Sequence, residues 1–98
     1  MIEAFQNINK AFESKVRLGI MAVLLVNEDV DFNPLKELLS LTDGNLASHT
    51  RALEELGYIV CKKTFVGRKP KTSFQATQGG KKAFKAHIEA LENFLKST

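Results

Sequence analysis

The chain has a single cysteine, Cys61, and can form no internal disulfide. That fits a reducing compartment, and the cytoplasm is the expectation. Cys61 lies in an apolar, strand-like context, where a buried and inert thiol is expected. The longest apolar run, Leu18 to Val26, is far shorter than the roughly twenty residues needed to span a bilayer. Polar and apolar residues alternate from Met1 to Glu13, which predicts no signal peptide. There is no glycine-rich phosphate loop, no nucleophile motif and no paired-carboxylate signature, so no enzyme is expected. Glu54-Glu55 and Glu28-x-x-Asp31 read more simply as surface charge. Cys61 stands alone and His49 and His87 are far apart in sequence, so neither a metal nor another cofactor is expected. Repeats, low-complexity segments and linkers are absent. The 98 residues predict one compact domain, 1–98.

What is present is unevenly distributed. Net charge is only +3, which permits an acidic partner without demanding one. Acids gather at Glu28, Asp29 and Asp31, and again at Glu54 and Glu55. From Lys62 to Lys71 the charged residues are Lys62, Lys63, Arg68, Lys69 and Lys71, with no acid among them. Such a one-sign segment is either a solvated loop or the electrostatic footprint of a nucleic-acid site.

Apolar spacing predicts the elements. Phe5, Ile8 and Phe12 recur at three and four residues, which predicts an amphipathic helix over Ile2 to Phe12. Ser14 is placed to cap a helix from Lys15 to about Val26, apolar nearly all round and so central to the core. Asp31-Phe32-Asn33 reads as a short strand, with Asn33 capping a helix that starts at Pro34 and buries Leu35, Leu38 and Leu39. Ser40, Leu41 and Thr42 form the turn that follows. Tyr58 to Val66 and Thr72 to Thr77 read as strands around a turn, Gly67-Arg68-Lys69-Pro70. Ile59, Cys61 and Phe65 fall on one side of the first strand, and Phe74 and Ala76 face inward from the second. Thr77 caps a last helix to about Leu95, with Phe84, Ile88, Leu91 and Leu95 as its stripe.

The stretch from Thr42 to Val60 organises the rest. Thr42 or Asp43 can accept from the free N–H groups of a helix start. Leu46, Thr50, Leu53 and Leu56 line one side, and Gly57 falls where a residue of positive φ ends the helix. The opposite side carries Gly44, Ser48, Arg51, Ala52 and Glu55, with Asn45 and His49 at its edge. It is small and polar near its start, the profile of a helix that enters a DNA groove. An ordinary amphipathic surface helix has a similar pattern, and the context decides between them. Two short helices joined by a three-residue turn form a helix-turn-helix, and the basic-tipped hairpin after it makes a wing. The fold class read this way is mainly α with a small β-hairpin, a winged helix-turn-helix.

Leu39-x-Leu41-Thr42-x-Gly44-x-Leu46-x-Ser48-His49-x-x-x-Leu53-Glu54-x-x-Gly57-Tyr58-Ile59 resembles the helix-turn-helix of small bacterial and archaeal winged-helix regulators of the MarR and ArsR type. Within that group it is most similar to the short winged-helix DNA-binding domain family. Val66-Gly67-Arg68-Lys69-Pro70-Lys71-Thr72 and Thr77-x-x-Gly80 resemble that family's wing and last-helix start, and Ser14-x-Val16-Arg17-Leu18 the start of its first long helix. Thr50 departs from a preferred leucine and Ala76 from a larger apolar residue. The resemblance implies a homodimeric transcriptional regulator, a repressor, that binds double-stranded DNA. Its recognition helix, about 43–56, would enter the major groove through Thr42, Asp43, Gly44, Asn45, Ser48, His49 and Arg51. Arg68, Lys69 and Lys71 of the wing, 66–72, would reach the backbone or minor groove. For His49 a phosphate contact and a packing role beside Leu53 both remain open. Asp43 is read first as a cap or first-turn acid, and Arg17 as a structural ion-pair or cap residue. Phe5, Ile8, Phe12, Phe84, Ile88, Leu91, Phe94 and Leu95 are more apolar surface than a small winged core needs, and predict that the terminal helices join two copies. The rival reading is a winged-helix protein–protein module that binds no DNA.

Overall fold

The computed structural model describes residues 2–97. Among them are helices α1 (Ile2–Gln6), α2 (Lys15–Val26), α3 (Phe32–Leu38), α4 (Asp43–Glu55) and α5 (Gln78–Lys96), and strands β1 (Val30–Asp31), β2 (Ile59–Val66) and β3 (Lys69–Ala76). The strands form one antiparallel sheet in the order β1-β3-β2. This is a winged helix, mostly helical, with the β2–β3 hairpin as its wing. Met1 and Thr98, the ends of the expected 1–98 domain, lie outside the described residues.

The apolar segment Lys15–Val26 is the central helix, as its composition requires. The Ser14 hydroxyl accepts from the Arg17 N–H at 3.4 Å, and Ile20, Met21 and Leu24 are fully buried. Leu35 of α3, Leu46 and Leu53 of α4, Ile59 of β2 and Phe74 of β3 close the core around them. Thr50 occupies a core position without a polar penalty, because its hydroxyl donates to the carbonyls of Leu46 (2.8 Å) and Ala47 (3.1 Å).

The turn between α3 and α4 is built by backbone bonds. The Leu41 N–H donates to the Lys36 carbonyl at 2.9 Å and the Ser40 N–H to that of Glu37 at 3.2 Å. This paired closure puts Ser40 in the left-handed region, φ 54°. α4 ends in the same way on Gly57, φ 77°, with the Tyr58 N–H donating to the Leu53 carbonyl at 3.0 Å.

Several expectations are corrected. The predicted helix over Ile2 to Phe12 is interrupted: α1 ends at Gln6, and Lys10–Phe12 is a separate 3₁₀ turn. Asn9 causes the break. Its side chain accepts from the Ala11 N–H (2.9 Å) and donates to the Tyr58 hydroxyl (3.1 Å), while its own N–H donates to His87 Nδ1 (2.9 Å). α3 starts at Phe32 rather than Pro34, after a strand of only Val30–Asp31, and Leu38 is exposed. Phe12 and Phe84 do not belong to a partner-facing stripe. They are 2% and 5% exposed, and their rings meet edge to face with centroids 5.4 Å apart inside this chain's own core. Cys61 is half-buried rather than buried. Phe65 lies past the end of the core and is exposed.

The wing is tighter than its composition implied. Val66 pairs with Lys69, so the tip is only Gly67-Arg68, with Gly67 at φ 65° as the first residue of such a turn needs. Pro70 sits inside β3 opposite Phe65. The bonded pair at the tip makes the next pair a non-hydrogen-bonded one, where the missing N–H costs nothing. The molecule is elongated, 54 × 25 × 21 Å. Among the described residues no helix is long and apolar enough to cross a membrane.

Candidate nucleic-acid interface

α4 presents its outer face with little of its own chain near it. The Thr42 hydroxyl caps it, accepting from the Asn45 N–H at 3.1 Å, and Asp43 occupies the first turn, where its charge suits the helix dipole. Asp43 is also held by Lys36 of α3 at 2.7 Å, which ties the two helices of the motif together. Gly44, Asn45, Ser48 and Arg51 are exposed. A Cβ at Gly44 would meet nothing within 4 Å. Glycine inside a helix costs about 1 kcal/mol relative to alanine, and no intramolecular contact explains it here.

His49 differs from its neighbours. It is half-buried, and its Nδ1 accepts from the Arg17 Nε–H at 3.1 Å, which joins α4 to α2. This bond gives His49 a contact within the fold, and it makes Arg17 a hydrogen-bond donor to His49 rather than the ion-pair or cap residue expected. Nε2 is left as the imidazole's remaining polar atom.

Between α4 and the hairpin lies an open cleft of about 490 Å³, with Ala47, Thr50, Arg51 and Glu54 on one wall and Cys61, Lys63, Thr72 and Phe74 on the other. Lys63 stands between Cys61 and Phe65 in the otherwise apolar series of its strand side, and that interruption is its signal in the sequence. Burial pushes the Cys61 thiol above its ordinary range, Glu54 adds to the rise and Lys63 opposes it, so the thiolate is disfavoured.

The wing's charges divide into two groups. Lys62 pairs with Asp29 at 3.4 Å and Lys71 with Asp31 at 3.6 Å, each pair about half exposed. Pairs of this kind contribute at most about 1 kcal/mol. Lys63, Arg68 and Lys69 are exposed and have no ion-pair partner among the described residues. Arg51 and Lys63 therefore face each other across one cleft, α4 on one side and the hairpin on the other, while Lys69 and Lys71 line a neighbouring hollow with Asp31 and Pro34.

A family model described as winged helix DNA-binding domain matches residues 16–95. An uncharacterised protein of Methanocaldococcus jannaschii is 46% identical over 79 residues, 81% of this chain and 86% of its own length. Among solved structures, a transcriptional regulator homologue from Pyrococcus horikoshii OT3 superposes with a TM-score of 0.90 at 32% identity, over 99% of this chain and 97% of that one. The S. aureus MepR–DNA complex gives a TM-score of 0.76 at 15% identity, over 98% of this chain and 78% of that one; at such identity the likeness is one of fold.

Proposed function

Because this chain belongs to the winged-helix DNA-binding domain family, we propose that it is a cytoplasmic, homodimeric transcriptional repressor that reads a specific duplex sequence. The observation that carries the reading is the bare start of α4, with Gly44 unopposed and Asn45, Ser48 and Arg51 exposed, together with a wing whose tip cations have no ion-pair partner among the described residues. Gly44 and the capped helix start let the backbone approach phosphates, while Asn45, Ser48 and Arg51 are of the right chemistry to read base edges. In this reading Thr42 and the remaining ring nitrogen of His49 add phosphate contacts, and Asp43, already held by Lys36, adds orientation rather than affinity. Arg68 and Lys69 dock the wing electrostatically, joined by Lys71 when a phosphate displaces Asp31.

Phe5 (61% exposed), Ile88 and Leu95, next to half-buried Ile8, Leu91 and Phe94, support a second copy on the terminal helices. A two-fold dimer would read two half-sites about one helical turn apart. A dimer seated on its operator excludes polymerase from the same stretch, which is repression by occupancy. The test is selection of bound fragments from a random duplex pool. A two-fold symmetric motif is the expected result. No enrichment, with no binding at micromolar protein, would favour the protein-interaction module instead.

A further inference from the structure

Phe65 and Val66 are 72% and 64% exposed at the far end of the hairpin, where they contribute nothing to the core. The register fixes which way Phe65 faces. Ile59 opposes Ala76, Cys61 opposes Phe74, Lys63 opposes Thr72 and Phe65 opposes Pro70, so these four rungs share one side of the sheet. The first two rungs lead from the core to the cleft, and Cys61, Phe74, Lys63 and Thr72 line it opposite Arg51 and Glu54 of α4. The Phe65–Pro70 rung is the next one out, on the side of the hairpin that faces α4. It is a non-hydrogen-bonded pair, the kind in which opposing side chains come closest, and Pro70 stiffens its backbone.

We propose that Phe65, with Pro70 across from it, is an apolar wedge that enters the minor groove of bound duplex DNA and partly unstacks a base step. The proposal rests on the DNA-binding reading above. Charge complementarity selects the occupant: Lys63 stands on the same side one rung inward, Arg68 and Lys69 lie at the adjoining tip, none of them is ion-paired among the described residues, and no acid lies between Lys62 and Lys71. A polyanion whose base steps offer apolar stacking faces satisfies both the cations and the ring. The wedge directs the wing toward flexible pyrimidine–purine steps, which yield most easily to an inserted side chain. The wing then carries sequence preference through deformability, in addition to charge.

The test compares wild type, Phe65→Ala, Phe65→Leu and the Arg68→Ala/Lys69→Ala double variant on a duplex obtained by selection. Affinity is measured against salt, and end-to-end fluorescence transfer in a dye-labelled duplex reports the bend. Phe65→Ala is expected to weaken binding about tenfold, leave the log–log salt slope unchanged and straighten the duplex. Phe65→Leu is expected to keep most of the bend. Phe65→Ala binding and bending DNA as wild type does would overturn the wedge alone. So would a Phe65→Ala salt slope lowered like that of the double variant, or a change of its association state without DNA. Wild-type protein that binds no duplex would overturn the regulator reading itself.

Discussion

The Cα of Gly80 packs against the backbone carbonyl of Tyr58 so closely that no Cβ fits between them. The contact seats the start of α5 on the end of α4. Thr77 completes it: its N–H donates to the Tyr58 carbonyl at 3.0 Å, and its hydroxyl donates to the Gly57 carbonyl at 2.6 Å and accepts from the Gly80 N–H at 2.9 Å. The Thr77-x-x-Gly80 motif is thus a joint between the helix-turn-helix and the terminal helix. Gly80→Ala must push α5 off the turn and is expected to destabilise by about 3 kcal/mol, as overpacking does. Gly79→Ala meets only ordinary contacts, 3.7 Å from the Thr77 hydroxyl, and is expected to be neutral or stabilising by up to about 1 kcal/mol. Urea midpoints of both variants check the pair, and equal losses would refute the joint.

Burial of His87 makes the fold sensitive to acid. The imidazole is 3% exposed, lies edge to face on Phe12, and accepts from the Asn9 N–H. Desolvation pushes its pKa below the ordinary 6.5, with Glu13 pulling weakly the other way. The unfolded chain therefore takes up the proton first. The stability tied to neutral His87 is complete above pH 6.5 and is lost as pH falls below it, at no more than about 1.4 kcal/mol per pH unit. Thermal melts from pH 7.5 to 5 are expected to show this decline in wild type and a shallower one in His87→Gln. Parallel declines would mean that other groups carry the acid sensitivity.

Legibility in the sequence followed the range of the interactions. α4 was readable because its cap, apolar stripe and Gly57 terminator all lie within one stretch, Thr42–Gly57. α1 was not, because Phe5, Ile8 and Phe12 keep helical spacing while Asn9 leaves the helix for Tyr58 and His87, 49 and 78 residues away. Phe65 continues the strand's alternation past the point where the core stops, and alternation alone cannot mark that point. Within the candidate site, the exposed residues Gly44, Asn45, Ser48 and Arg51 followed from helical periodicity. The Arg17–His49 bond, the Lys36–Asp43 tie and the place of Lys63 opposite Arg51 depend on packing between elements, which periodicity does not contain.

The terminal helices supply the next test. Phe5 of α1 meets Phe94 of α5 edge to face, centroids 5.7 Å apart, and leaves Leu95 71% exposed beside it. Light scattering at tens of micromolar is expected to give a dimer mass for wild type and a monomer mass for Leu95→Lys, with the helical content of both unchanged by circular dichroism. The charge on a desolvated apolar seam has no partner, whereas on an open surface it would be tolerated. A monomeric wild type, or a Leu95→Lys variant that stays dimeric, would remove these helices as the interface.

The two halves of the interface are expected to respond differently to mutation. Arg51 stands on the exposed face of a rigid helix whose opposite face, Leu46 and Leu53, is fully buried, so its guanidinium starts from a fixed base. A good bidentate contact from such a position discriminates bases by about 1–3 kcal/mol. Arg68 occupies a two-residue hairpin tip and Lys69 the first strand position after it, both exposed, where binding to phosphate suits long side chains. Arg51→Ala is therefore expected to weaken binding to a selected operator while leaving scrambled duplex nearly unaffected, relaxing preference at one or two positions per half-site. The Arg68→Ala/Lys69→Ala variant is expected to weaken both alike and to lower the log–log salt slope by about 0.9 for each phosphate that is no longer neutralised. Parallel titrations on operator and scrambled duplexes at several salt concentrations separate the two. Equal losses for Arg51→Ala on both duplexes, with altered base preference in the wing variant, would mean that the wing reads sequence and the helix only anchors.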